Sequence, residues 1–199
     1  MTDQNNQKKK IAAKLPGAET PDGWLASLRD YTVLIAIALG IAMLVTNFIM
    51  VRSVVDGSSM NPTLNDGESV IVSRISYTLS DPKRFDICVL ELEDDPGVYY
   101  IKRIIGLPGE TVQIVNGQVY IDGSLLAGDI YGNEPIIRPG RAVFPVKLGE
   151  NEYFVMGDNR NNSQDSRYDS PGNISRSQLV GKAVLRVWPL SSFSVITHQ

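Results

Sequence analysis

The chain has 199 residues, a formal net charge of −3, one cysteine and one histidine. This length allows one domain with a sizeable core and a short appendage. The nearly balanced charge argues against a nucleic-acid-binding protein, which would carry a basic stripe. A single cysteine excludes an intrachain disulfide, and one cysteine with one histidine cannot supply the four ligands of a structural zinc site.

The only histidine is His198, the penultimate residue, in a tail that we expect to be mobile. Ser-His-Asp and Cys-His mechanisms need a firmly placed imidazole. A nucleophilic serine in this chain would therefore need another base, and lysine is the known substitute in Ser-Lys enzymes.

Residues 1–31 are polar and include four lysines between positions 8 and 14. Pro16-Gly17 and Pro21-Asp22-Gly23 are expected to break any helix. We therefore predict a loosely ordered polar tail. Whether its lysines contact lipid headgroups or only solvent stays open at this point.

Residues 32–51 contain no charged side chain, and about twenty such residues can cross a bilayer core as a helix. A buried core helix is disfavoured because no second helical pattern is present to cover it. A cleaved secretory signal is disfavoured because the preceding region is long and no small-residue cleavage pattern follows. The sequence predicts a single-pass anchor in the cell membrane, with residues 1–31 cytoplasmic and residues 52–199 forming an extracytoplasmic domain.

Residues 52–199 predict a mainly β domain with long loops. The candidate strands lie at 69–75, 85–92, 98–107, 111–121, 143–148, 152–157 and 182–188, and polar and apolar residues alternate along 85–92. Asn116-Gly117 predicts a hairpin within 111–121. Cys88 falls inside a strand, where a small buried hydrophobe is the favoured interpretation. No amphipathic helix is predicted after residue 55, and residues 126–140, with glycine and proline throughout, predict a long loop.

The segment Val54–Leu64 (VVDGSSMNPTL) presents two serines before Met60. It fits an ordinary turn between strands, or a tight strand end that holds a serine hydroxyl beside a free backbone N–H. Ser59 lies eight residues after Val51. It therefore lies no more than roughly 29 Å from the end of the predicted membrane span.

Lys102 lies inside the strongly hydrophobic candidate strand at 98–107 (VYYIKRIIGL). A lysine that activates a serine must be neutral, so burial or nearby positive charge must lower its pKa from about 10.4. We expect Lys102 to share a strand face with Tyr100 and Ile104, with Arg103 pointing the other way and adding positive charge. The alternative is an edge-strand lysine whose stem covers apolar surface while its ammonium reaches water.

The stretch 156–167 (MGDNRNNSQDSR) predicts a rigid polar loop. Asp158, Arg160, Asp165 and Arg167 can form ion pairs within it, and the Ser163 hydroxyl could orient a neutral amine. A calcium-binding loop is the alternative, but the spacing does not fit an EF-hand and two arginines argue against a bound cation.

Three motifs that follow the predicted anchor, GSSMNPTL, YIKRIIGLPGE and GDNRNNSQDSR, together resemble bacterial type I signal peptidases. The resemblance extends over the predicted anchor and most of residues 52–190, and it leaves out 1–31 and 126–140. It implies an all-β catalytic domain of the signal-peptidase type and a membrane-bound serine endopeptidase with no cofactor or metal. The implied substrates are signal-peptide-bearing precursors in the same lipid bilayer, cut after small residues. No feature predicts the oligomeric state.

The same resemblance implies a role for five residues. Ser59 would be the nucleophile and Lys102 the general base. Ser163 would hydrogen-bond the lysine, and Asp165 with Arg167 would hold the loop in place.

One position departs from part of this family. Some members carry a serine two residues before the nucleophile, where this chain has Gly57. We therefore expect the Ser59 N–H and a replacement backbone group to bind the oxyanion, with Ser58 pointing away. Two rival hypotheses remain: another Ser-Lys peptidase such as a self-cleaving repressor-type protein, or a membrane-tethered β-domain that binds a partner without catalysis. The second rival predicts an exposed Lys102.

Overall fold

The structure, a computed structural model, describes residues 21–44, 49–132 and 134–197. Residues 1–20 of the predicted tail, residues 45–48 of the predicted anchor and His198 lie outside this description. The chain divides after Leu44 into two compact units. Each unit is described by itself.

The first unit contains helix α1, Pro21–Leu44. The sequence prediction of a break at Pro21 is wrong, because a proline at the first helical position needs no N–H partner and already has a helical φ. The helix thus includes the last part of the predicted tail. Met50 and Val51, which were assigned to the anchor, lie in a strand instead.

The exposed side chains of α1 are mostly apolar, and they occur at consecutive as well as alternate positions between residues 33 and 43. A helix that is apolar on every face differs from an amphipathic helix, which would be apolar on one side only. Among the residues that the structure describes, none of the helices combines the length and apolar character needed to cross a membrane.

The second unit is mainly β, as predicted. The strands among its described residues are β1 Met50–Val54, β2 Ser69–Ser73, β3 Ile87–Glu91, β4 Tyr99–Gly106, β5 Thr111–Val115, β6 Gln118–Ile121, β7 Ser124–Leu125, β8 Val146–Lys147, β9 Glu152–Met156, β10 Ile174–Ser175, β11 Leu179–Trp188 and β12 Ser194–Val195. The helical segments described in this unit are short: α2 Ser76–Leu79 and 3-10 turns at Gly140–Val143, Arg176–Gln178 and Leu190–Ser192.

The strands form two antiparallel sheets. The larger has the order β1-β2-β11-β3-β4-β9-β10, with β12 paired to β11, and the smaller has the order β7-β6-β5-β8. Asn116 and Gly117 have φ values of 50° and 76° and join β5 to β6. Both values are positive, as the predicted two-residue hairpin requires. The described part of 126–139 forms no strand or helix, in agreement with the predicted loop.

Two features of the core bear on the candidate site: the burial of residues that hold the Ser59 segment, and the burial of the Cys88 thiol. Met60 and Leu64 are fully buried in a cluster with residues of β2 and β3, and they hold the segment that carries Ser59. Cys88 on β3 is fully buried in a second cluster with Leu90 and Ile104. Burial raises the pKa of the Cys88 thiol to about 12. It is therefore a buried hydrophobe, as predicted, and not a reactive thiol.

Candidate active site

Ser59 lies in the segment that connects β1 to β2. The Met60 carbonyl accepts a hydrogen bond from the Leu64 N–H at 2.9 Å, and the Ser58 carbonyl accepts one from the Asn61 N–H at 3.1 Å. These bonds tighten the segment directly after Ser59, while the buried Met60 anchors it in the core. The result is a compact turn between β1 and β2 that carries the serine hydroxyl.

Lys102 lies in the middle of β4 and is only 6% exposed. Its Nζ donates a hydrogen bond to Ser59 Oγ at 2.8 Å. Burial lowers the pKa of Lys102, although the nearby Asp165 carboxylate and the Cys88 thiol favour the charged form. A buried amine with a lowered pKa, at hydrogen-bonding distance from a hydroxyl, has the geometry of a nucleophile and its base.

The environment of Lys102 follows the alternation of β4. Tyr100 and Ile104 pack in the same cluster as Leu90, and Lys102 lines a pocket with Tyr100 and Leu90. The predicted shared face is therefore confirmed. The exposed edge-strand lysine that was the alternative is not what the structure contains.

Arg103 points to the other side of β4, as predicted. Its charge was expected to act on Lys102, but it is paired with a carboxylate instead. It is fully buried, and its Nε and Nη2 donate to the Asp158 carboxylate at 2.8 and 2.6 Å. Its guanidinium also lies 3.4 Å from the centroid of the Tyr131 ring. Because Asp158 neutralises this cation, burial and not Arg103 is the main cause of the lowered Lys102 pKa.

The polar loop 157–167 contains one of the predicted ion pairs. Arg167 Nε and Nη2 donate to the Asp165 carboxylate at 2.7 and 2.8 Å, and both residues are buried. Asp165 also accepts the Gly157 N–H at 3.1 Å. This carboxylate therefore closes the loop by joining its first residue to its last.

The other charged residues of the loop pair outside it. Asp158 pairs with Arg103, and Arg160 pairs with Asp129 of the 126–140 loop. The carboxylates of Asp158 and Asp165 are thus both bonded to arginines, which removes the ligands that a calcium loop would need. Among the residues that the structure describes, no group of three or more metal-ligating side chains occurs.

Two asparagines that the sequence reasoning did not select join this loop to the segment that carries Ser59. The Asn159 N–H donates to the Ser59 carbonyl at 3.0 Å, and Asn159 Nδ2 donates to the Ser58 carbonyl at 3.1 Å. Asn162 Nδ2 donates to Ser58 Oγ at 3.0 Å. The signal in the sequence was the density of asparagine in the loop, but only the fold shows which segment these side chains hold.

Ser163 lines the same cleft as Ser59 and Lys102. Its Oγ is buried and has no hydrogen-bond partner among the described residues. The predicted bond between Ser163 and Lys102 is therefore not formed in this structure, because the lysine amine is directed to Ser59 Oγ instead. A buried hydroxyl without a partner carries a desolvation cost, and a small rotation towards a donor or acceptor would relieve it.

The hydrogen bonds around Gly57 show which backbone N–H groups are free to bind the oxyanion. The Gly57 N–H donates to Asp66 Oδ1 at 2.9 Å, so this group is not a free donor. Within the described residues, neither the Ser58 nor the Ser59 N–H donates a hydrogen bond. The expected replacement donor is thus not the Gly57 backbone, and the Ser59 N–H stays available.

Ser59 and Lys102 open into a cleft of about 480 Å³ that is also lined by Tyr100 and Asn162. A second, smaller pocket of about 100 Å³ adjoins Lys102 and is lined mainly by apolar residues, among them Leu90, Leu92 and Val155. The hydrogen-bonded pair of Ser59 and Lys102 thus lies between an open polar cleft and a small apolar pocket.

A known family and several known proteins are similar to most of this chain. The family model described as "Signal peptidase, peptidase S26" matches residues 28–188. A probable signal peptidase I-2 of Synechocystis sp. is 36% identical over 181 residues, which cover 88% of this chain and 78% of the relative. Signal peptidase I S of Bacillus subtilis is 38% identical over 178 residues, which cover 83% of this chain and 91% of the relative.

A solved signal peptidase I from Enterococcus faecalis V583 is 32% identical, and the match covers 52% of this chain and 97% of that chain. Its TM-score of 0.43 is too low to bear on the fold. The family model and the two relatives named above are sufficient to assign the family, since each match spans most of the chain, including the Ser59 and Lys102 segments. The chain therefore belongs to the signal peptidase I family of serine endopeptidases.

Proposed function

We propose that this protein removes signal peptides from exported precursors by a Ser-Lys dyad, with Ser59 as the nucleophile and Lys102 as the general base. The observation that carries the proposal is the 2.8 Å separation of Lys102 Nζ and Ser59 Oγ, with the lysine buried and its pKa lowered. An ordinary lysine of pKa about 10.4 is neutral in only about one molecule in 2,500 at pH 7. Each unit by which the pKa falls raises that fraction about tenfold.

The first half of the reaction follows from these positions. Neutral Lys102 accepts the proton of the Ser59 hydroxyl as Oγ attacks the scissile carbonyl carbon. The carbonyl oxygen becomes an oxyanion, which the Ser59 N–H is free to bind. The tetrahedral intermediate collapses when Lys102 returns the proton to the leaving nitrogen, which becomes the N-terminus of the mature protein. The signal peptide stays attached to Ser59 as an ester.

In the second half, Lys102 is again neutral and removes a proton from water. The hydroxide equivalent attacks the ester, Ser59 Oγ leaves and regains the proton, and the signal peptide departs with a free carboxylate. The Asp165 carboxylate favours the protonated lysine and so stabilises the charged intermediate states at the cost of a higher pKa. This balance suits a base that must also act as an acid.

Supporting roles are proposed for three residues of the polar loop. Asp165 and Arg167 hold the loop closed through their buried ion pair. Ser163, whose buried Oγ lacks a partner, would turn towards the Lys102 amine when that amine releases Ser59 during the reaction. The small apolar pocket beside Lys102 supports a preference for small side chains before the cut.

We also propose that the uncharged residues 32–49, which precede β1, tether the enzyme to a lipid bilayer, where its substrates are held. The uncharged stretch and the exposed apolar side chains of α1 support a lipid environment. Within the second unit, Trp188 at the end of β11 is exposed, as are Leu190 and Phe193 just after it. Trp188 lies opposite Ser69 of β2, and Ser69 lies opposite Val54 at the end of β1. The lysines near the N-terminus support a cytoplasmic N-terminus and an extracytoplasmic catalytic unit.

The structure weighs against a non-catalytic binding module. That function predicts an exposed Lys102 far from Ser59, whereas the two side chains are hydrogen-bonded and the lysine is buried. A buried amine is costly to keep in a fold, and a module that only binds a partner has no use for it.

The test is cleavage of a precursor by the full-length protein in detergent, with Ser59→Ala and Lys102→Met as the dyad variants. Lys83→Met and Ser191→Ala change an exposed lysine and an exposed serine elsewhere and serve as controls. We expect cleavage after a small residue in wild type and in both controls, and none above background in the dyad variants. Normal cleavage by either dyad variant would refute the mechanism.

A further inference from the structure

The 126–140 loop, which lies outside the family motifs, ends directly against the polar loop of the active site. The Ile137 N–H donates to Asn161 Oδ1 at 2.9 Å, and Asn161 Nδ2 donates to the Pro135 carbonyl at 3.2 Å. Arg167 Nη1 donates to the Arg138 carbonyl at 3.4 Å. The backbone that leads into Arg138 is therefore held by the loop that also positions Ser59.

The backbone after Arg138 is held just as closely. Gly140 has a φ of 55°, and a Cβ at this position would lie 2.1 Å from the Arg167 carbonyl oxygen. Only glycine allows this approach, because other residues are strained at such a φ and would collide with the carbonyl. The Arg141 N–H then donates to the same carbonyl at 2.9 Å. The backbone on both sides of Arg138 is thus held in place by contacts with the polar loop.

The Arg138 side chain lines the same cleft of about 480 Å³ as Ser59 and Lys102, and it is exposed. In the part of the chain that the structure describes, its guanidinium forms no ion pair or hydrogen bond. Three neighbouring arginines differ in this respect, because each is paired with a carboxylate: Arg103 with Asp158, Arg160 with Asp129 and Arg167 with Asp165.

One other charged group at the cleft has no partner among the described residues. It is the exposed carboxylate of Asp56, on the nucleophile segment. The cleft therefore presents one unpaired cation, Arg138, on the polar-loop side and one unpaired anion next to the nucleophile. For a peptide bound in the cleft, a carboxylate is attracted by the Arg138 guanidinium and repelled by the Asp56 carboxylate. It is therefore favoured on the Arg138 side.

We propose that Arg138 binds an acidic side chain of the precursor just after the cleavage site and so sets a preference for aspartate or glutamate there. This inference rests on the proposed function. An acidic residue is compatible with only one side of the cut, because a signal peptide places an apolar core and then small residues before it. A carboxylate that reaches the cleft must therefore belong to the mature segment.

The expected size of the preference follows from the exposure of the pair. Ion pairs between exposed side chains change an equilibrium by about two- to five-fold, and the planar guanidinium can bind a carboxylate with two hydrogen bonds. Salt screens such pairs over about 10 Å at 0.1 M. The preference should therefore be largest at low ionic strength and decline as salt is added.

The test uses the full-length protein in zwitterionic detergent micelles, which contain no anionic lipid. Precursor peptides are compared in pairs that differ only by Asp or Asn at one of the first four positions after the cut. We expect wild type to show a kcat/KM ratio of about two to five in favour of Asp at one or more positions. Arg138→Gln should bring this ratio to one, Arg138→Glu should invert it, and Arg138→Lys should retain part of it.

Arg74→Gln is the matched control. It makes the same charge change at an exposed arginine outside the cleft, and we expect the wild-type ratio. A ratio of one in wild type at all four positions would overturn the inference, as would an Arg138→Gln variant that cuts both peptides more slowly by the same factor. Either of these results would contradict the Arg138 inference without affecting the proposed roles of Ser59 and Lys102. A wild type that cuts no better than Ser59→Ala would instead remove the proposed function itself.

Discussion

The glycine that opens the polar loop offers a sharp test of how closely this loop must approach the nucleophile. A Cβ built on Gly157 would lie 2.3 Å from the Ser59 carbonyl oxygen and 2.4 Å from Ser163 Oγ. Contacts this short are not tolerated, so Gly157→Ala must push the Ser59 backbone away by about 0.7 Å or more to reach 3.0 Å. A shift of this size along the 2.8 Å bond between Ser59 Oγ and Lys102 Nζ would lengthen it to about 3.5 Å, beyond the usual hydrogen-bonding range.

A misplacement of about 1 Å at a reactive group can cost about 100-fold in rate. We therefore expect Gly157→Ala to lower kcat about 100-fold on a fixed precursor while the protein stays folded, as checked by its Tm and circular dichroism. Gly149→Ala is the matched control, since its Cβ would lie 3.4 Å from the Glu152 side chain, an ordinary contact. If Gly157→Ala kept a kcat within a few-fold of wild type, the close packing of the loop on Ser59 would have no catalytic importance.

Three further predictions concern stability and the membrane. Between the lowered folded-state pKa of Lys102 and the ordinary value of about 10.4, the unfolded chain binds a proton that the folded chain does not. The free energy of unfolding of wild type, relative to Lys102→Met, should therefore rise with pH over this window in urea titrations, and a flat or falling difference would contradict the burial. Asp158→Asn leaves Arg103 buried without its carboxylate and should cost about 3–5 kcal/mol in the same titrations, whereas Asp94→Asn on the surface should cost less than about 0.5 kcal/mol; equal losses would refute the ion pair's role. Ile37→Arg should release the protein from membranes on alkaline extraction, since a central arginine costs about 2.5–3.5 kcal/mol, while Ile37→Leu should stay bound; retention of both would argue against the anchor.

The Ser59–Lys102 pair could be predicted from the sequence because its signals lie in short motifs. Lys102 lies within an apolar candidate strand, the lack of a suitably placed histidine pointed to lysine as the base, and the family resemblance singled out Ser59. Both residues were therefore selected before any geometry was known. Their hydrogen bond agrees with the selection.

The partners of the charged residues could not be predicted in the same way. Arg103 on β4 and Asp158, just beyond β9, meet because Arg103 pairs with Met156 in the antiparallel sheet. Strand order is set by the whole fold, so nothing near either residue in the sequence indicates the pairing. The same holds for Arg160, which reaches Asp129 in a loop that carries no recognisable motif.

The start of the helix was missed for a local reason. Proline and glycine at positions 21 and 23 favour a break on propensity alone, yet proline at a first helical position is favourable. The direction of the Ser163 hydroxyl was missed for another reason, since a hydroxyl with several nearby groups has no unique partner that sequence could assign.

The central claim is that a neutral, buried Lys102 activates Ser59, and the pH dependence of kcat/KM tests it most directly. We predict that activity rises with pH along one acidic limb whose midpoint lies below the ordinary lysine pKa of about 10.4. The limb should persist in His198→Gln, which removes the only histidine in the sequence. A limb that disappears with His198, or whose midpoint matches a solvated lysine, would contradict the account.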